Sequence, residues 1–312
     1  MAKDAQVGII GCGEGTHGKV WAELLSGKGG KKFGMKVAKV WDGDRETAET
    51  LAIKTGAEAV EKFEDAGEGV DGVMITELFP DRYLELARPF LRNGGRIFFN
   101  RPFAADVNDA REILRLARKN GAKVYSASAL YHTEAGAKAI AQLDSIRPVK
   151  LFTMTGPTDH LYFYLPHAIA ALVNVLGTGI ARIQALSLTW KPNARHLSAT
   201  PVMVYVKYAP DAKIGDARGI IQMTGPGTKW YGFRLKLFGA EKESDEIRFE
   251  VSYDKLLENM AMFFKTGLEP VPHEVILEQT VVFYAALQSA DERGKAVHTD
   301  EMMRSDADAL GL

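Results

Sequence analysis

The residues near the amino terminus that are best suited to chemistry are glycines following a short apolar run. Residues 7–10 lead directly into Gly11, Cys12 and Gly13, and an amphipathic stretch occupies residues 20–25. The first glycine permits a tight turn, and the second lets a pyrophosphate approach the free N–H groups at the start of a helix. This order of strand, glycine turn and helix predicts a dinucleotide-binding site.

The third glycine of this motif is ambiguous in the sequence. Counting from Gly11 reaches Thr16, whereas counting from Gly13 fits a series that continues with Gly15 and Gly18. We take Gly11 as the start of the motif, because the apolar strand ends there.

Asp42 is the acid expected after the second strand. It follows the glycine loop by about 30 residues instead of the usual ~20, and the insertion at residues 27–34 explains the delay. A carboxylate here would accept hydrogen bonds from the adenosine ribose and would repel a 2′-phosphate, which favours NAD over NADP. Arg45 lies close enough to weaken that argument. An alternative interpretation is that Asp42 is a surface residue capping the helix that starts at Arg45.

The glycine loop and Asp42 lie within a regular alternation of strands and helices. The apolar runs are continuous, as expected when helices cover both faces of a sheet. The pattern predicts an α/β fold, a doubly wound parallel sheet over residues 1–127. The predicted strands are residues 7–10, Met35–Trp41, 72–76, Arg96–Phe99 and Lys123–Ser126, and the predicted helices are Arg45–Thr55, 82–93 and Val107–Asn120.

The pattern changes after residue 127. Longer strand-like runs, several with alternating polarity, predict a second α+β domain at residues 128–312 with a large, mostly antiparallel sheet. The last helix of the chain is a candidate to pack back on the first domain. The predicted strands are residues 149–156, 183–190, 201–208, Arg218–Met223, 231–238 and 247–253, and the predicted helices are 134–143, 165–176 and 273–293.

Composition excludes several other classes of protein. The chain has 312 residues and a formal net charge of −1, which does not indicate a nucleic-acid-binding protein. Cys12 is the only cysteine, so no intrachain disulfide is expected. We find no signal peptide, no apolar run long enough to span a bilayer and no metal motif, so we expect a cytoplasmic protein that binds neither a membrane nor a metal.

Four segments resemble the Gfo/Idh/MocA family of NAD(P)-dependent oxidoreductases. They are VGIIGCG at residues 7–13 with His17 shortly after, VDGVMIT at 70–76, NGGRIFFNRP at 93–102, and the stretch at 288–297. The resemblance implies a Rossmann domain followed by a domain whose large sheet often forms dimer interfaces. It also implies oxidation or reduction of sugar-, polyol- or inositol-like hydroxyls with NAD(P), by a homodimer or homotetramer.

The sequence departs from the family where the resemblance places catalytic groups. The family's Glu-Lys-Pro is replaced by Asn100, Arg101 and Pro102. Lysine can be tuned to titrate near neutrality, whereas arginine stays charged and cannot act as a general base. Arg101 could still orient a substrate oxygen or carboxylate, or bind the cofactor's nicotinamide ribose.

The second departure lies around His167, which matches the family's histidine. The acids that normally flank this histidine are replaced by Phe163 and Ala170, so no local carboxylate fixes its tautomer. His167 is either a catalytic or substrate-contacting residue or a buried histidine on an apolar helix. Tyr164 is a neighbouring candidate for proton handling. Tyr83 stands where the family often has histidine.

The candidate site residues follow from the motifs and the resemblance together. Asp159, His160, Tyr131 and His132 are further polar groups that could be structural or functional. The catalytic candidates are Arg101, His167 and Tyr164. The cofactor-binding candidates are Gly11, Gly13, Glu14, Gly15, Thr16, His17, Asp42, Thr76, Asn100 and Arg101.

Three hypotheses about function follow. The first is an NAD(P)-dependent oxidoreductase that acts on a CH–OH group of a carbohydrate-like substrate. The second is a cofactor-binding but non-redox protein, such as a sensor or scaffold, which the altered residues at positions 101, 163 and 170 favour. The third is NAD-assisted elimination or hydrolysis without net redox change.

Overall fold

The computed structural model describes residues 3–157, 161–187, 202–225 and 232–303. The chain divides into two compact units. The first contains residues 1–127 and 253–276, and the second contains residues 128–252 and 277–312. Residues 253–276, which the sequence analysis counted with the carboxyl-terminal domain, therefore cluster with the first unit.

The first unit is built on a six-stranded sheet in the order β3-β2-β1-β4-β5-β6. All of its paired strands run parallel, which confirms the predicted doubly wound fold. The central strands are buried along nearly their whole length because helices cover both faces. The strands are β1 (Ala5–Ile10), β2 (Met35–Trp41), β3 (Glu58–Ala59), β4 (Gly72–Ile75), β5 (Arg96–Phe99) and β6 (Lys123–Ser126).

The helices of this unit begin and end where local signals place them. α5 begins after Asp106, whose side chain accepts a hydrogen bond from Asp109 N–H, and it ends at Gly121 in the left-handed region. The insertion between the glycine loop and the second strand contains the short helix α2. The helices are α1 (His17–Leu24), α2 (Lys28–Phe33), α3 (Arg45–Thr55), α4 (Tyr83–Arg92) and α5 (Val107–Asn120).

A sixth helix, α8 (Asp254–Thr266), completes the first unit from a distant part of the sequence. The Arg96 guanidinium donates a hydrogen bond to the carbonyl of Phe264. Glu269, just after α8, accepts a hydrogen bond from Val124 N–H at 2.8 Å. These contacts tie α8 and the residues after it to β5 and β6.

The second unit contains a seven-stranded mixed sheet in the order β12-β11-β7-β10-β9-β8-β13. The β7–β10 pair is parallel and the other pairs are antiparallel, so the predicted mostly antiparallel sheet is confirmed. Parts of three predicted strands, residues 188–190, 201 and 231, lie outside the described residues. The strands are β7 (Leu151–Gly156), β8 (Ile180–Leu186), β9 (Val202–Tyr208), β10 (Arg218–Met223), β11 (Phe233–Phe238), β12 (Ile247–Phe249) and β13 (Val297–His298).

The two faces of this sheet differ in burial. Alternate residues of β7 and β9, such as Phe152 and Val204, are buried, whereas Leu151 and Met203 point to the other face and are exposed. The second unit also contains three helices, α6 (Glu134–Ile146), α7 (Leu161–Leu176) and most of α9 (His273–Asp291). The first residues of α9, up to Ile276, belong to the first unit. No helix in the described ranges is long and apolar enough to cross a membrane.

Candidate dinucleotide and catalytic sites

The glycine turn after β1 requires glycine at two positions for different reasons. Gly11 has φ +87°, and a Cβ there would lie 2.5 Å from the backbone nitrogen of Glu77. A Cβ on Gly18 would lie 2.3 Å from both the Gly11 carbonyl oxygen and Thr76 Oγ1. Gly18 is therefore the residue that lets α1 pack closely on the strands, which resolves the ambiguity about the third glycine.

The residues between these glycines form the start of α1. Thr16 is the N-cap: its Oγ1 accepts a hydrogen bond from Lys19 N–H at 3.2 Å and donates one to the Gly13 carbonyl at 2.7 Å. Gly15 has φ +78°. Glu14 is exposed and forms an ion pair with Lys19, which lowers the pKa of that carboxyl.

Thr76 holds the glycine turn through hydrogen bonds to its backbone. It is fully buried at the end of β4, and its hydroxyl donates a hydrogen bond to the Gly11 carbonyl at 2.6 Å. Its backbone N–H donates to the Ile10 carbonyl at 2.8 Å. The structure thus places Thr76 as a residue that holds the glycine turn in position.

Asp42 is fastened to the glycine turn by its carboxylate. One oxygen accepts a hydrogen bond from Cys12 N–H at 2.7 Å, and the other accepts one from Asp44 N–H at 3.1 Å. The cap position of α3 is occupied by Asp44, so the alternative interpretation of Asp42 as the helix cap does not hold. Burial and the nearby Asp42 raise the pKa of the Cys12 thiol to about 12, so Cys12 is a protonated, packed side chain.

The structure adds Glu77 beside Asp42, and Arg82 next to Glu77, and the sequence analysis missed both residues. Glu77 is half-buried, and its burial together with the charge of Asp42 raises the pKa of its carboxyl. Glu77 Oε1 lies 3.3 Å from an Arg82 guanidinium nitrogen, and this guanidinium lies 5.9 Å from the centre of the Trp41 ring. The position of Glu77 directly after Thr76, at the end of a parallel strand, was the signal available in the sequence.

His17, Asn100 and Arg101 come together near the carboxyl end of β5. His17 Nδ1 and Asn100 Oδ1 are 2.9 Å apart, although the residues are 83 positions apart in sequence. His17 also stacks on Trp21, with ring centroids 4.9 Å apart. Burial and the nearby Arg101 charge lower the pKa of His17 to about 4. His17 is therefore neutral at physiological pH and donates its Nδ1–H to Asn100.

Tyr83 has a structural position in the first unit. It is fully buried, and its hydroxyl donates a hydrogen bond to the Glu77 carbonyl at 2.9 Å. It therefore anchors the loop that follows β4.

In the second unit, His167 has a partner that its sequence neighbours do not provide. His167 Nδ1 and Ser128 Oγ are 2.6 Å apart, and Ser128 is only 3% exposed. The Tyr164 ring lies 6.3 Å from the His167 ring, between centroids. Ser128 was missed because it lies 39 positions away, beyond the last strand of the parallel sheet.

Other polar candidates have less support. Asp159 and His160 lie outside the described residues. Tyr131 and His132 form an edge-on ring pair with centroids 5.0 Å apart. Within the ranges that the structure describes, no three His, Cys, Asp or Glu side chains are grouped as a metal site would require.

The glycine turn and its acid define a Rossmann dinucleotide-binding protein. Residues 5–128 match the model of the GFO_IDH_MocA family, described as an oxidoreductase family with an NAD-binding Rossmann fold. The family resemblance predicted from the sequence is confirmed over these residues. No curated protein matches the sequence significantly.

Solved structures share the fold over nearly the whole chain. A myo-inositol dehydrogenase from Lactobacillus casei, in complex with NAD(H) and myo-inositol, has a TM-score of 0.79 and 15% identity, covering 95% of this chain and 96% of its own. An apo scyllo-inositol dehydrogenase from the same organism has a TM-score of 0.77 and 13% identity, covering 96% and 99%. An oxidoreductase from Thermotoga maritima has a TM-score of 0.74 and 18% identity, covering 96% and 100%.

Proposed function

We propose that this protein is an NAD-dependent oxidoreductase that transfers a hydride between nicotinamide and a CH–OH carbon of a sugar-, polyol- or inositol-like substrate. The observation that carries the proposal is the Asp42 carboxylate, which Cys12 N–H fixes beside an intact glycine turn. The dehydrogenase fold of the inositol dehydrogenases is consistent with this class of substrate.

The residues of the first unit fit a dinucleotide. The backbone N–H groups of Gly13, Glu14 and Gly15 would receive the pyrophosphate at the start of α1. Those of Gly11, Cys12 and Thr16 already donate to the Trp41 carbonyl, the Asp42 carboxylate and the Gly13 carbonyl. Asp42 retains lone pairs that can accept hydrogen bonds from the two ribose hydroxyls. When bound, the nicotinamide would supply the hydride acceptor or donor.

The electrostatics beside Asp42 favour NAD over NADP. A 2′-phosphate would meet two carboxylates, because Glu77 lies next to Asp42. The two basic side chains that could bind that phosphate are both paired with carboxylates. Arg45 is engaged by Glu49 at 2.6 Å and by Glu61, and Arg82 is engaged by Glu77 and Glu85. We expect NADH to bind more tightly than NADPH, as measured by quenching of protein fluorescence.

Arg101 and His167 are our candidates for handling the substrate. Arg101 remains charged and would orient a substrate oxygen. His167 would act at the reacting oxygen, as hydrogen-bond donor or as proton acceptor, with Tyr164 as an auxiliary group. The test is the change in absorbance at 340 nm with NAD or NADH across a panel of polyols, inositols, sugars and their ketones. Turnover that is lost in Arg101→Ala and in His167→Gln supports the assignment.

A cofactor-binding but non-redox protein is the second candidate. The arginine at position 101 and the apolar residues at 163 and 170 favour it, because these positions lack the family's titratable groups. It predicts tight NADH binding without any absorbance change across the panel. Product formation without net NADH formation would indicate the third candidate, redox-assisted elimination or hydrolysis.

We further propose that the protein is a homo-oligomer assembled through the outer face of the seven-stranded sheet. Leu186 and Met203 are opposite each other on neighbouring strands, and they are 53% and 52% exposed. Leu151, on the same face, is 43% exposed. Apolar side chains in such an arrangement favour contact with a second copy over solvent.

A further inference from the structure

The hydrogen bond between Ser128 and His167 has a direction that the surrounding contacts determine. Ser128 is the N-cap of a short turn, and its Oγ accepts a hydrogen bond from Leu130 N–H at 3.0 Å. The same oxygen lies 2.6 Å from His167 Nδ1. A serine hydroxyl has one proton to donate and two lone pairs that can accept.

Donation from Ser128 to the histidine satisfies both the buried Ser128 hydroxyl and the His167 Nδ1 that it faces. Ser128 is 3% exposed, so solvent is not a ready acceptor for its hydroxyl proton. Among the described residues, His167 Nδ1 is the acceptor within hydrogen-bonding distance of that hydroxyl. The reverse arrangement, in which His167 donates, would leave a buried hydroxyl proton unsatisfied, which native proteins rarely tolerate.

We propose that Ser128 is a positioning residue that holds neutral His167 with its proton on Nε2, so that the ring presents an N–H donor to the substrate oxygen. A histidine paired with a carboxylate behaves in the opposite way. A carboxylate can only accept, so it holds the proton on Nδ1 and leaves Nε2 as an acceptor. His167 has Phe163 and Ala170 near it in sequence in place of acids, and its partner is Ser128. The nitrogen that carries the proton is therefore the opposite one, Nε2 in place of Nδ1.

The catalytic meaning of this inference rests on the proposed function. A donor at Nε2 suits a site that holds a carbonyl oxygen while negative charge develops on it. The neutral ring is then prepared for the reduction direction, with NADH as the hydride donor. The tautomer itself is a property of the second unit and does not depend on any ligand.

The test is long-range proton–nitrogen NMR of the full chain labelled with ¹⁵N-histidine, at a pH where the imidazole is neutral. The His167 signals are assigned by their loss in His167→Gln. In the native protein we expect a protonated-type shift for Nε2 and an unprotonated-type shift for Nδ1. Ser128→Thr retains the hydroxyl and should keep this pattern.

Ser128→Asp provides the decisive comparison. Aspartate can still accept the hydrogen bond from Leu130 N–H, so the turn should fold. Toward the histidine it can act only as an acceptor, because a carboxylate has no proton to donate. We expect the two nitrogen shifts to exchange, with Nδ1 becoming protonated. The inference is overturned if the native protein already shows a protonated Nδ1, or if Ser128→Asp leaves the pattern unchanged while the melting temperature shows a folded protein. Failure of the proposed function would appear separately, as absence of NADH binding.

Discussion

Asp42 is the residue whose replacement should most directly weaken cofactor binding. Asp42→Asn keeps the shape of the side chain but removes the charge, and hydrogen bonds to charged groups contribute about 1.5–3 kcal/mol. We expect the Kd for NADH to rise roughly tenfold or more, as measured by fluorescence titration. Asp44→Asn, an exposed acid two residues away, is the matched control. Equal losses in both variants would contradict a specific role for Asp42.

Glu77 should affect the choice between cofactors more than the affinity for either. Glu77→Gln removes one of the two negative charges near the expected 2′-phosphate position, so NADPH should bind better relative to NADH by roughly three- to tenfold. Glu85→Gln is the control, because Glu85 also pairs with Arg82 and is more exposed. A ratio of NADPH to NADH affinity that is the same in both variants would argue against this role.

His17 makes the stability of the first unit depend on pH. Its pKa is lowered to about 4 in the folded state, so between pH 6.5 and 4 the unfolded chain binds a proton that the folded chain does not. Stability should therefore fall as the pH falls through this range, by up to about 3 kcal/mol. Urea unfolding at pH 7 and pH 5 measures the effect, and the decrease should be smaller in His17→Asn. An unchanged decrease would show that other groups cause it.

The sequence predicted the individual residues only where their role depends on local geometry. The glycine turn and Asp42 follow from spacing along a single strand–turn–helix unit. The His17–Asn100 and Ser128–His167 contacts join residues 83 and 39 positions apart. Such pairs depend on how strands are arranged in the sheet, which composition and spacing do not specify.

The packing of α1 against the parallel sheet depends on Gly18. In Gly18→Ala, the new Cβ would lie 2.3 Å from Gly11 O and Thr76 Oγ1, so the helix must move. We expect a loss of about 1–3 kcal/mol in the free energy of unfolding, as for other overpacked sites, together with weaker NADH binding. Gly43→Ala is the control, because nothing lies within 4 Å of its Cβ. Normal stability and binding in Gly18→Ala would contradict this account of the third glycine.

Whole elements were predicted best where the hydrophobic pattern was regular. The strands of the parallel sheet are short apolar runs bounded by helices that end at glycines such as Gly56 and Gly121, so their positions followed from the sequence. Neither the helix α8 nor its place in the first unit was predicted by the sequence analysis. Its amphipathic pattern shows that one face is buried but does not specify which sheet it covers.

The oligomer proposed through the second unit makes a prediction for the whole molecule. Met203→Glu places a charge opposite the exposed Leu186 on the outer face of the sheet, which should dissociate the assembly toward monomer in light scattering after size-exclusion chromatography. Ile53→Glu is the control, since Ile53 is 87% exposed on α3 in the first unit. If the native protein is monomeric, or if both variants have its mass, this face is not the interface.

The discontinuity of the first unit has a consequence for the synthesis of the chain. The ribosome must make all of residues 128–252 before the segment that contains α8 can emerge and cover the sheet beside Gly72 and Arg96. At about 5–20 residues per second, that delay is on the order of ten seconds. During this interval the nascent amino-terminal sheet presents apolar surface to the cell. A segment that is synthesised late therefore completes the amino-terminal unit, and chains truncated before α8 should be cleared by proteases or retained by chaperones.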